Sequence, residues 1–277
     1  MTAALAAVRH RLGVAGPVIV LVVVGIAVFG PLLAPHSPTA SIGIPGDGPS
    51  GQALLGLDQV GRDVLSRTLH GGRTALGLGA LTTVLAYLAA TAIGLTAGFA
   101  RSWLDPLLMR AVDVLVVFPP LIVLLVLVTG LGSGVPVLVL GVAIVLVPGM
   151  SRIVRTATLE VVARGYVEAA VARGERPWTI VRREVLPNIV EAMLATLGLR
   201  FAYAIILIAS VNFLGLGLRP PTPDWGLMAS ENRQVIDLNP YAVLAPGLML
   251  GLLTIGVTLV ADAYARGLGR SARKVIG

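Results

Sequence analysis

The stretch VLVVFPPLIVLLVLVTGLGSGVPVLVLGVAIVLVPGMS, from Val114 to Ser151, contains no charged residue. At about 1.5 Å per residue, a single helix of this length would far exceed the ~30 Å hydrocarbon core of a bilayer. The stretch must therefore turn back, and the cluster GLGSGVP at Gly130–Pro136 supplies turn-forming residues. We predict that one membrane span ends near Thr129 and that the next begins near Pro136.

The whole chain has the composition of a membrane protein. Its 277 residues are 56% hydrophobic and 13% charged, whereas a soluble domain averages about 25% charged residues. Four further apolar blocks of about spanning length are Val14–Ala34, Thr74–Ala100, Met193–Leu216 and Tyr241–Ala261. We expect an all-α polytopic protein with six transmembrane helices. The first block also fits a signal peptide, but it lacks a clear small-x-small cleavage site, and we expect a retained anchor.

The placement of Lys and Arg gives an expected orientation. With the N-terminus inside, basic residues are roughly threefold more frequent in the inside segments than in the outside ones. The expected order is a cytoplasmic N-terminus (1–13), a first span (14–35), an extracytoplasmic segment (36–73), a core with spans two to six (74–263) and a cytoplasmic C-terminus (264–277). A second outer segment, 218–240, is rich in proline, and its Trp225 is of the type that anchors at a membrane interface.

Charge is concentrated in one internal segment, Glu160–Glu191, which we call the charged loop. Its residues Tyr166–Arg173 have helical spacing. The apolar residues that share one face of this helix are Tyr166, Val167, Ala170 and Val171. Ala169 and the alanine after it keep one side thin, so that a partner can approach closely. Gly174 is expected to end the helix in a left-handed conformation, and Pro177 to open a second short helix.

Several kinds of chemistry lack the residues they need. A Walker A loop requires Gly-Lys followed by Ser or Thr, but the single lysine, Lys274, lies between Arg273 and Val275. The chain has no cysteine, and its three histidines lie in separate segments, so we expect neither a metal site nor a catalytic relay. The net charge of +7 follows the membrane topology, so no nucleic-acid partner is expected.

Four ionisable residues lie in or near the spans: Asp105, Asp113, Arg200 and Asp262. Charge is costly inside a bilayer, so such residues are candidates for function. All four lie toward the expected cytoplasmic ends, where snorkelling, or pairing of Asp113 with Arg110, explains them without function. Spans one, two and four carry no mid-span carboxylate of the kind that a proton-coupled carrier needs.

Two Gly-x-x-x-Gly pairs, Gly94–Gly98 and Gly247–Gly251, lie in spans two and six. Small residues at this spacing let helices approach closely in lipid. We expect both pairs to serve packing within the bundle, and the alternative is a seam with a second subunit.

The charged loop resembles the EAA loop of ABC importer permeases. The residues that carry the resemblance are Glu168, Ala169, Ala170, Gly174, Leu186 and Pro187. In that family the loop (158–190 here) forms a coupling helix that docks into a groove on a cytoplasmic ATPase.

Other segments resemble the C-type subunit of dipeptide and oligopeptide permeases, and the likeness extends from about Leu55 to the C-terminus. The segment LGLDQVGRDVLSR at Leu55–Arg67 is similar to the family's LGTDxxGRDxLSR motif. Matching residues with an expected structural role are Gly56, Asp58, Gly61, Arg62, Asp63, Asp113, Gly215, Gly217 and Trp225. The resemblance implies the fold of a type I ABC importer permease.

The resemblance also implies a function and its partners. The chain would be one permease subunit of a binding-protein-dependent importer of di- and oligopeptides in the inner membrane of a bacterium. It would work with a second permease subunit, two ATPase subunits that bind ATP and Mg²⁺, and an extracytoplasmic binding protein. It would not itself be an enzyme. Nickel or a small metal chelate is the alternative cargo, and a carrier or channel without an ATPase is the alternative class. No substrate-binding residue can be named from the sequence.

Overall fold

The computed structural model describes residues 2–100 and 103–276, with side chains for residues 15–100, 103–264 and 266. The side chains of the expected N-terminal segment 1–13, and most of those in 264–277, lie outside the described residues. The helices are α1 (Thr2–Leu33), α2 (Val64–Ala100), α3 (Leu104–Val116), α4 (Pro120–Leu131), α5 (Val135–Val162), α6 (Gly165–Ala172), α7 (Pro177–Ile180), α8 (Leu186–Phe213), α9 (Trp225–Glu231) and α10 (Tyr241–Ile276). A π-helical turn, Val181–Val185, joins α7 to α8, and a 3₁₀ turn, Asn232–Val235, follows α9.

Residues 2–100 and 103–276 contain six candidate membrane spans when α3 and α4 are counted as one. Helices α1, α2, α5, α8 and α10 contain stretches long and apolar enough to cross a membrane, and α3 and α4 pass the same test together. This agrees with the predicted count and with the turn before Pro136, because α4 ends at Leu131 and α5 begins at Val135.

The third span is bent, a feature that the sequence analysis did not predict. α3 and α4 meet at 85° across a break of three residues, 117–119. Pro119 has an extended backbone, with ψ of 132°, because Pro120 follows it and proline disfavours the helical conformation in the residue before it. Pro120 then occupies the first turn of α4, where it needs no backbone donor.

Helix α2 begins ten residues earlier than predicted, at Val64 instead of Thr74. The carboxylate of Asp63 accepts a hydrogen bond from the backbone N–H of Ser66 at 3.0 Å, which satisfies a free donor of the first turn. The segment 36–73 is therefore a loop only as far as Asp63.

The main core lies where α2, α4, α5 and α8 meet. Its buried side chains include Ala86 and Ala90 of α2, Leu124 of α4, Leu138, Val142 and Leu146 of α5, and Ala204, Leu207, Ile208 and Val211 of α8. Alanine dominates the α2 side, so this helix can approach its neighbours closely.

The predicted packing role of the Gly94–Gly98 pair is confirmed. A Cβ built on Gly94 would lie 2.7 Å from the backbone oxygen of Ser151, and one on Gly98 would lie 2.7 Å from the Cβ of Thr158. α2 and α5 therefore touch where side chains are absent. The prediction was wrong for Gly247 and Gly251, since a Cβ on either one would meet no atom within 4 Å.

Gly98→Leu should destabilise the bundle by about 1–3 kcal/mol or more, because overpacking forces α2 away from Thr158 on α5. Thermal unfolding of the purified protein in detergent measures the effect. Gly77→Leu is the matched control, since Gly77 lies on the same helix and a Cβ added there would have no atom within 4 Å. Equal unfolding temperatures for the two variants would contradict the assigned contact.

Candidate functional site

The charged loop is anchored to the bundle by one face of α6. Val167 and Ala170 are buried, and they pack with Val154 of α5 and with Val185 and Ile189 beyond α7. The predicted apolar face is therefore only half correct, because Tyr166 and Val171 are exposed. The two buried residues, three positions apart, fix the short helix against two of the long ones.

The predicted end of α6 is confirmed. Gly174 has φ of 74°, and the backbone N–H of Glu175 donates to the carbonyl oxygen of Ala170 at 3.2 Å, which is the pairing of a glycine-terminated helix. Helix α7 then begins at Pro177, as predicted. The π-helical turn continues directly into α8, whose first turn contains Leu186 and Pro187. The loop is therefore helical without interruption only from Pro177 into α8, and a turn at 173–176 separates α6 from this path.

The outward surface of the charged loop combines small residues with charge. Glu168 and Ala169 are exposed on α6, whereas Ala170 is fully buried, so the two alanines have different roles. A Cβ on Gly174 would meet no atom within 4 Å. Trp178, which the sequence analysis did not select, is also highly exposed. An exposed tryptophan beside a thin helix is typical of a protein contact surface.

At the other end of α8 lies a polar region that we call the cap, formed by residues 34–63 and 214–240. Asp58 is its centre: the buried carboxylate accepts hydrogen bonds from the backbone N–H groups of Val60 and Arg62 at 2.9 Å, and from Nε of Arg62 at 2.6 Å. Glu231 joins the cap to the start of α2, because it accepts from Arg62 at 3.2 Å and from Arg67 at 2.7 Å. Each of these buried charges therefore has an opposite charge beside it.

The motif glycines of the cap are required by its backbone. Gly56 has φ of 71° and Gly61 has φ of 79°, values that other residues rarely adopt. A Cβ on Gly56 would lie 2.5 Å from Nδ2 of Asn239, and one on Gly61 would meet the carbonyl of Gly43. Both glycines thus allow the loop before α2 to fold tightly around Asp58.

Trp225 does not anchor at the membrane interface, and that prediction was wrong. The ring is fully buried, and its Nε1 donates to the carbonyl oxygen of Thr68 at 2.8 Å. Gly71 and Gly72 on α2 leave the space that the ring fills. Trp225 therefore fixes the start of α9 against the start of α2.

Asp224 and Asn212 form a second buried polar pair. One oxygen of Asp224 accepts from the backbone N–H of Leu227 at 3.0 Å and from Nδ2 of Asn212 at 2.9 Å. Burial raises the pKa of the Asp224 carboxyl, and these hydrogen bonds oppose that shift. Asn212 also accepts from the backbone N–H of Leu218, an approach that requires glycine at Gly217.

The end of α8 has the glycine termination that its motif suggests. Gly215 has φ of 75°, and its backbone N–H donates to the carbonyl oxygen of Asn212 at 2.9 Å. The N–H of Leu216 donates to the carbonyl oxygen of Val211 at 3.2 Å. The chain therefore leaves α8 sharply and enters the cap.

Asp113 pairs with Arg152 of α5, at 2.5 Å, and the predicted pairing with Arg110 was wrong. Asp105 makes two hydrogen bonds to Arg155, one turn further along α5. Both partners lie on another helix because the bend at Pro119 turns α3 toward α5. Sequence spacing along α3 contained no signal for this.

A groove of about 1280 Å³ opens between α8 and α10 on the cap side of the bundle. Its lining is almost entirely apolar and includes Ile206, Phe213, Tyr241, Leu248 and both Gly247 and Gly251. The glycines leave the α10 wall flat, which suits close approach of another helix.

Four residues in or beside the cap were missed as site residues by the sequence analysis: Arg67, Asn212, Glu231 and Asn239. Their partners include groups far away in sequence, as in the contact of Arg67 with Glu231. Their residue types indicated only weakly that they form part of a site, since charged and amide side chains beside apolar blocks need hydrogen-bond partners when they are buried. Nothing in the sequence identified which partners.

The chain matches two family profiles. Residues 90–274 match the family described as "Binding-protein-dependent transport system inner membrane component". Residues 6–47 match the "N-terminal TM domain of oligopeptide transport permease C". The first match includes the whole charged loop.

Curated relatives align over nearly all of the chain. The "Glutathione transport system permease protein GsiD" of Pectobacterium atrosepticum is 34% identical over 256 residues, which is 92% of this chain and 85% of that protein. The "Dipeptide transport system permease protein DppC" of Alkalihalophilus pseudofirmus is 32% identical over 92% of this chain and 84% of that protein. The "Di/tripeptide transport system permease protein DppC" of Pseudomonas aeruginosa is 34% identical over 91% and 86%.

Solved structures share the fold. An inward-facing structure of the MetNI methionine ABC transporter aligns with a TM-score of 0.59 at 17% identity, over 73% of this chain and 95% of that one. An amino acid ABC transporter with histidines aligns with a TM-score of 0.55 at 19% identity, over 72% and 93%. At these identities the likeness concerns the arrangement of helices.

Glu231→Ala should destabilise the protein by about 3–5 kcal/mol, because it leaves the buried Arg62 and Arg67 without one of their carboxylates. Thermal unfolding in detergent measures the change. Asp47→Ala, which removes an exposed cap carboxylate, is the control and should be nearly neutral. Similar losses from both substitutions would show that the ion network does not hold the cap.

Proposed function

The chain belongs to the family of binding-protein-dependent transport system inner membrane components, and we propose that it is the permease subunit of an ATP-driven importer of di- and oligopeptides. The family assignment rests on the profile match to residues 90–274 and on the curated relatives. The cargo follows from those relatives, which are named for dipeptides, di/tripeptides and glutathione, and glutathione is itself a tripeptide. Nothing favours nickel or a metal chelate.

The structure of the charged loop is the observation that supports a role in coupling the spans to ATPase subunits. The permease family is a membrane component and not an enzyme, so ATP and Mg²⁺ would bind to two separate ATPase subunits. The loop supports such partners because α6 exposes Glu168 and Ala169 while Val167 and Ala170 hold it to the bundle. A surface that binds a partner and is also fixed to the spans can transmit movement.

Transport would follow alternating access. Closure of the ATPase pair on ATP would move α6, and the packing of Val167 against Val154 and Ile189 would pass that movement to α5 and α8. A partner biases such an equilibrium only through a difference in its binding to the two states. The turn at 173–176 separates α6 from α7, so the packing of Val167 and Ala170 against Val185 and Ile189 would limit the movement lost within the loop.

A second permease subunit fits the apolar groove. The groove lies inside the spanning region and includes Gly247 and Gly251, which make no close contact within the described chain. Close packing against another helix in lipid favours such a flat surface. We assign the seam between the two permease subunits to this face.

The remaining partners follow from the orientation. The excess of Lys and Arg near the charged loop and the termini supports a cytoplasmic location for these segments in the bacterial inner membrane. The cap would then face the extracytoplasmic side and receive the substrate-binding protein. Its rigid ion network gives that protein a fixed surface to dock on.

Reconstitution tests the proposed function. The chain is co-purified with the permease, ATPase and binding-protein products of the neighbouring genes and placed in proteoliposomes. ATP-dependent uptake of radiolabelled alanylalanine is the expected result, with no uptake in ADP. Uptake of nickel but not of the dipeptide, or dipeptide uptake by this chain without any ATPase, would contradict the proposal.

Ala169→Asp should lower ATP-driven uptake at least about tenfold while leaving the protein inserted and folded, because it adds a carboxylate to the exposed face of α6 that is proposed to pack against the ATPase. Gly174→Asp should act in the same direction, since it also strains a backbone with φ of 74°. The measurements are uptake and ATPase activity in the reconstituted complex.

The matched control is Ala163→Asp, which adds the same charge to an exposed alanine before α6. It should retain uptake. Normal uptake by Ala169→Asp would show that α6 does not couple the spans to the ATPase.

A further inference from the structure

Arg200 lies inside the spanning part of α8. It precedes the cap end of this helix, Phe213, by about 20 Å at ~1.5 Å per residue. Within a hydrocarbon core of ~30 Å this position is inside the apolar region and not at its edge. A charge at this depth is costly, so its retention requires a partner or a function.

The side chain of Arg200 points into the bundle. Arg200 is one helical turn before Ala204, on the face that continues through Leu207, Ile208 and Val211, all of which are buried against the main core. Its guanidinium lies against α5, where a Cβ built on Gly149 would be 2.8 Å from Nη1 and 3.0 Å from Nη2. Glycine at position 149 therefore provides the room that the guanidinium occupies.

Snorkelling does not describe this arrangement. Gly149 is about 21 Å from the cap end of α5 at ~1.5 Å per residue, which is the same depth as Arg200 itself. The side chain thus extends sideways across the helix pair and not along α8 toward the charged loop. The charge remains inside the spanning region, where it is only partly buried.

Within the described residues the guanidinium has no hydrogen-bond or ion-pair partner. Tyr87 is close enough to interact with it electrostatically, but its hydroxyl is engaged by the carbonyl of Met193 at 3.1 Å and by Thr196 at 3.0 Å. The carboxylates of α3 are also engaged by arginines of α5: Asp113 pairs with Arg152, and Asp105 pairs with Arg155. An uncompensated positive charge is left, and an anion would compensate it.

We propose that Arg200 binds the C-terminal carboxylate of the peptide as it crosses the membrane, an inference that rests on the proposed function. A planar guanidinium matches a carboxylate with two parallel hydrogen bonds. The terminal carboxylate is the group that linear peptides share whatever their side chains, so one arginine serves cargo of varied sequence. A lipid phosphate is the other available anion, but the guanidinium lies against Gly149 of α5, inside the span and away from the headgroup level.

The test compares Arg200 variants in the complete reconstituted transporter. Arg200→Gln should lower ATP-driven uptake of alanylalanine about tenfold or more, the effect of losing a charged hydrogen bond, and Arg200→Lys should restore most of it. Uptake of alanylalanine amide, supplied at a concentration that saturates the binding protein, should be the same in wild type and Arg200→Gln. Subunit assembly and thermal unfolding should be unchanged. Arg266→Gln, which removes an exposed charge in the C-terminal half of α10, is the matched control.

Each other outcome overturns the inference. Normal alanylalanine uptake by Arg200→Gln excludes the contact. Equal losses of uptake for the peptide and its amide show that Arg200 acts without binding the carboxylate. Loss of assembly that lysine does not rescue shows a structural role. A defect confined to vesicles with anionic lipid assigns the arginine to a headgroup. If the wild-type transporter imports neither peptide, the proposed function fails instead, and the two failures are thereby distinguished.

Discussion

The absence of water inside the bilayer is the constraint on which the rest of the structure depends. Backbone groups must be satisfied within the chain, so the spanning segments are helices. Apolar burial no longer drives helices together, so close contact must come from small side chains, as at Gly94 and Gly98 between α2 and α5. Most charge lies at the two ends of the bundle, in the cap and the charged loop, and Arg200 inside α8 is an exception. The division of the molecule into a packed middle and two polar ends follows from this one property of the solvent.

The features that depend on this constraint were predictable from sequence, and those that depend on particular neighbours were not. Hydropathy and the turn at Gly130–Pro136 were enough to predict the number of spans. Gly174 was enough to predict where α6 ends. The partner of Asp113 was not predictable, because it depends on an 85° bend that brings α3 to Arg152 on another helix. Trp225 was misassigned for the same reason. A tryptophan suits a membrane interface, but Gly71 and Gly72 on α2 leave a buried space for the ring. No local sequence pattern indicates that space.

The cap shows how the motif residues act together. Asp58, Arg62, Arg67 and Glu231 are buried, and removing charges from water is expensive, so the network is a poor source of net stability. What it supplies is a defined geometry, because Arg62 and Arg67 at the start of α2 are tied to Glu231 at the end of α9 by hydrogen bonds that tolerate little displacement. The loops that enter and leave four spans are thereby fixed to one another. A rigid cap would suit a transporter whose other end moves with the ATPase subunits, as proposed for the charged loop.

Helix α8 connects the two ends and passes Arg200 on the way. Its first residues share a core with α6, its middle places Arg200 against α5, and its end is held by Asn212 and Gly215 in the cap. Because the cap end is fixed, movement of α6 would rotate or tilt α8 about that end and change the distance between Arg200 and Gly149. The affinity of the guanidinium for an anion would then differ between the two states of the transporter. A difference of that kind is what links cargo to a conformational cycle, since a ligand shifts an equilibrium only by binding its two states unequally. Arg200 has no hydrogen-bond or ion-pair partner among the described residues, and on this argument that is not a residual cost of the fold. A permanently paired Arg200 would have no free donor with which to bind the cargo.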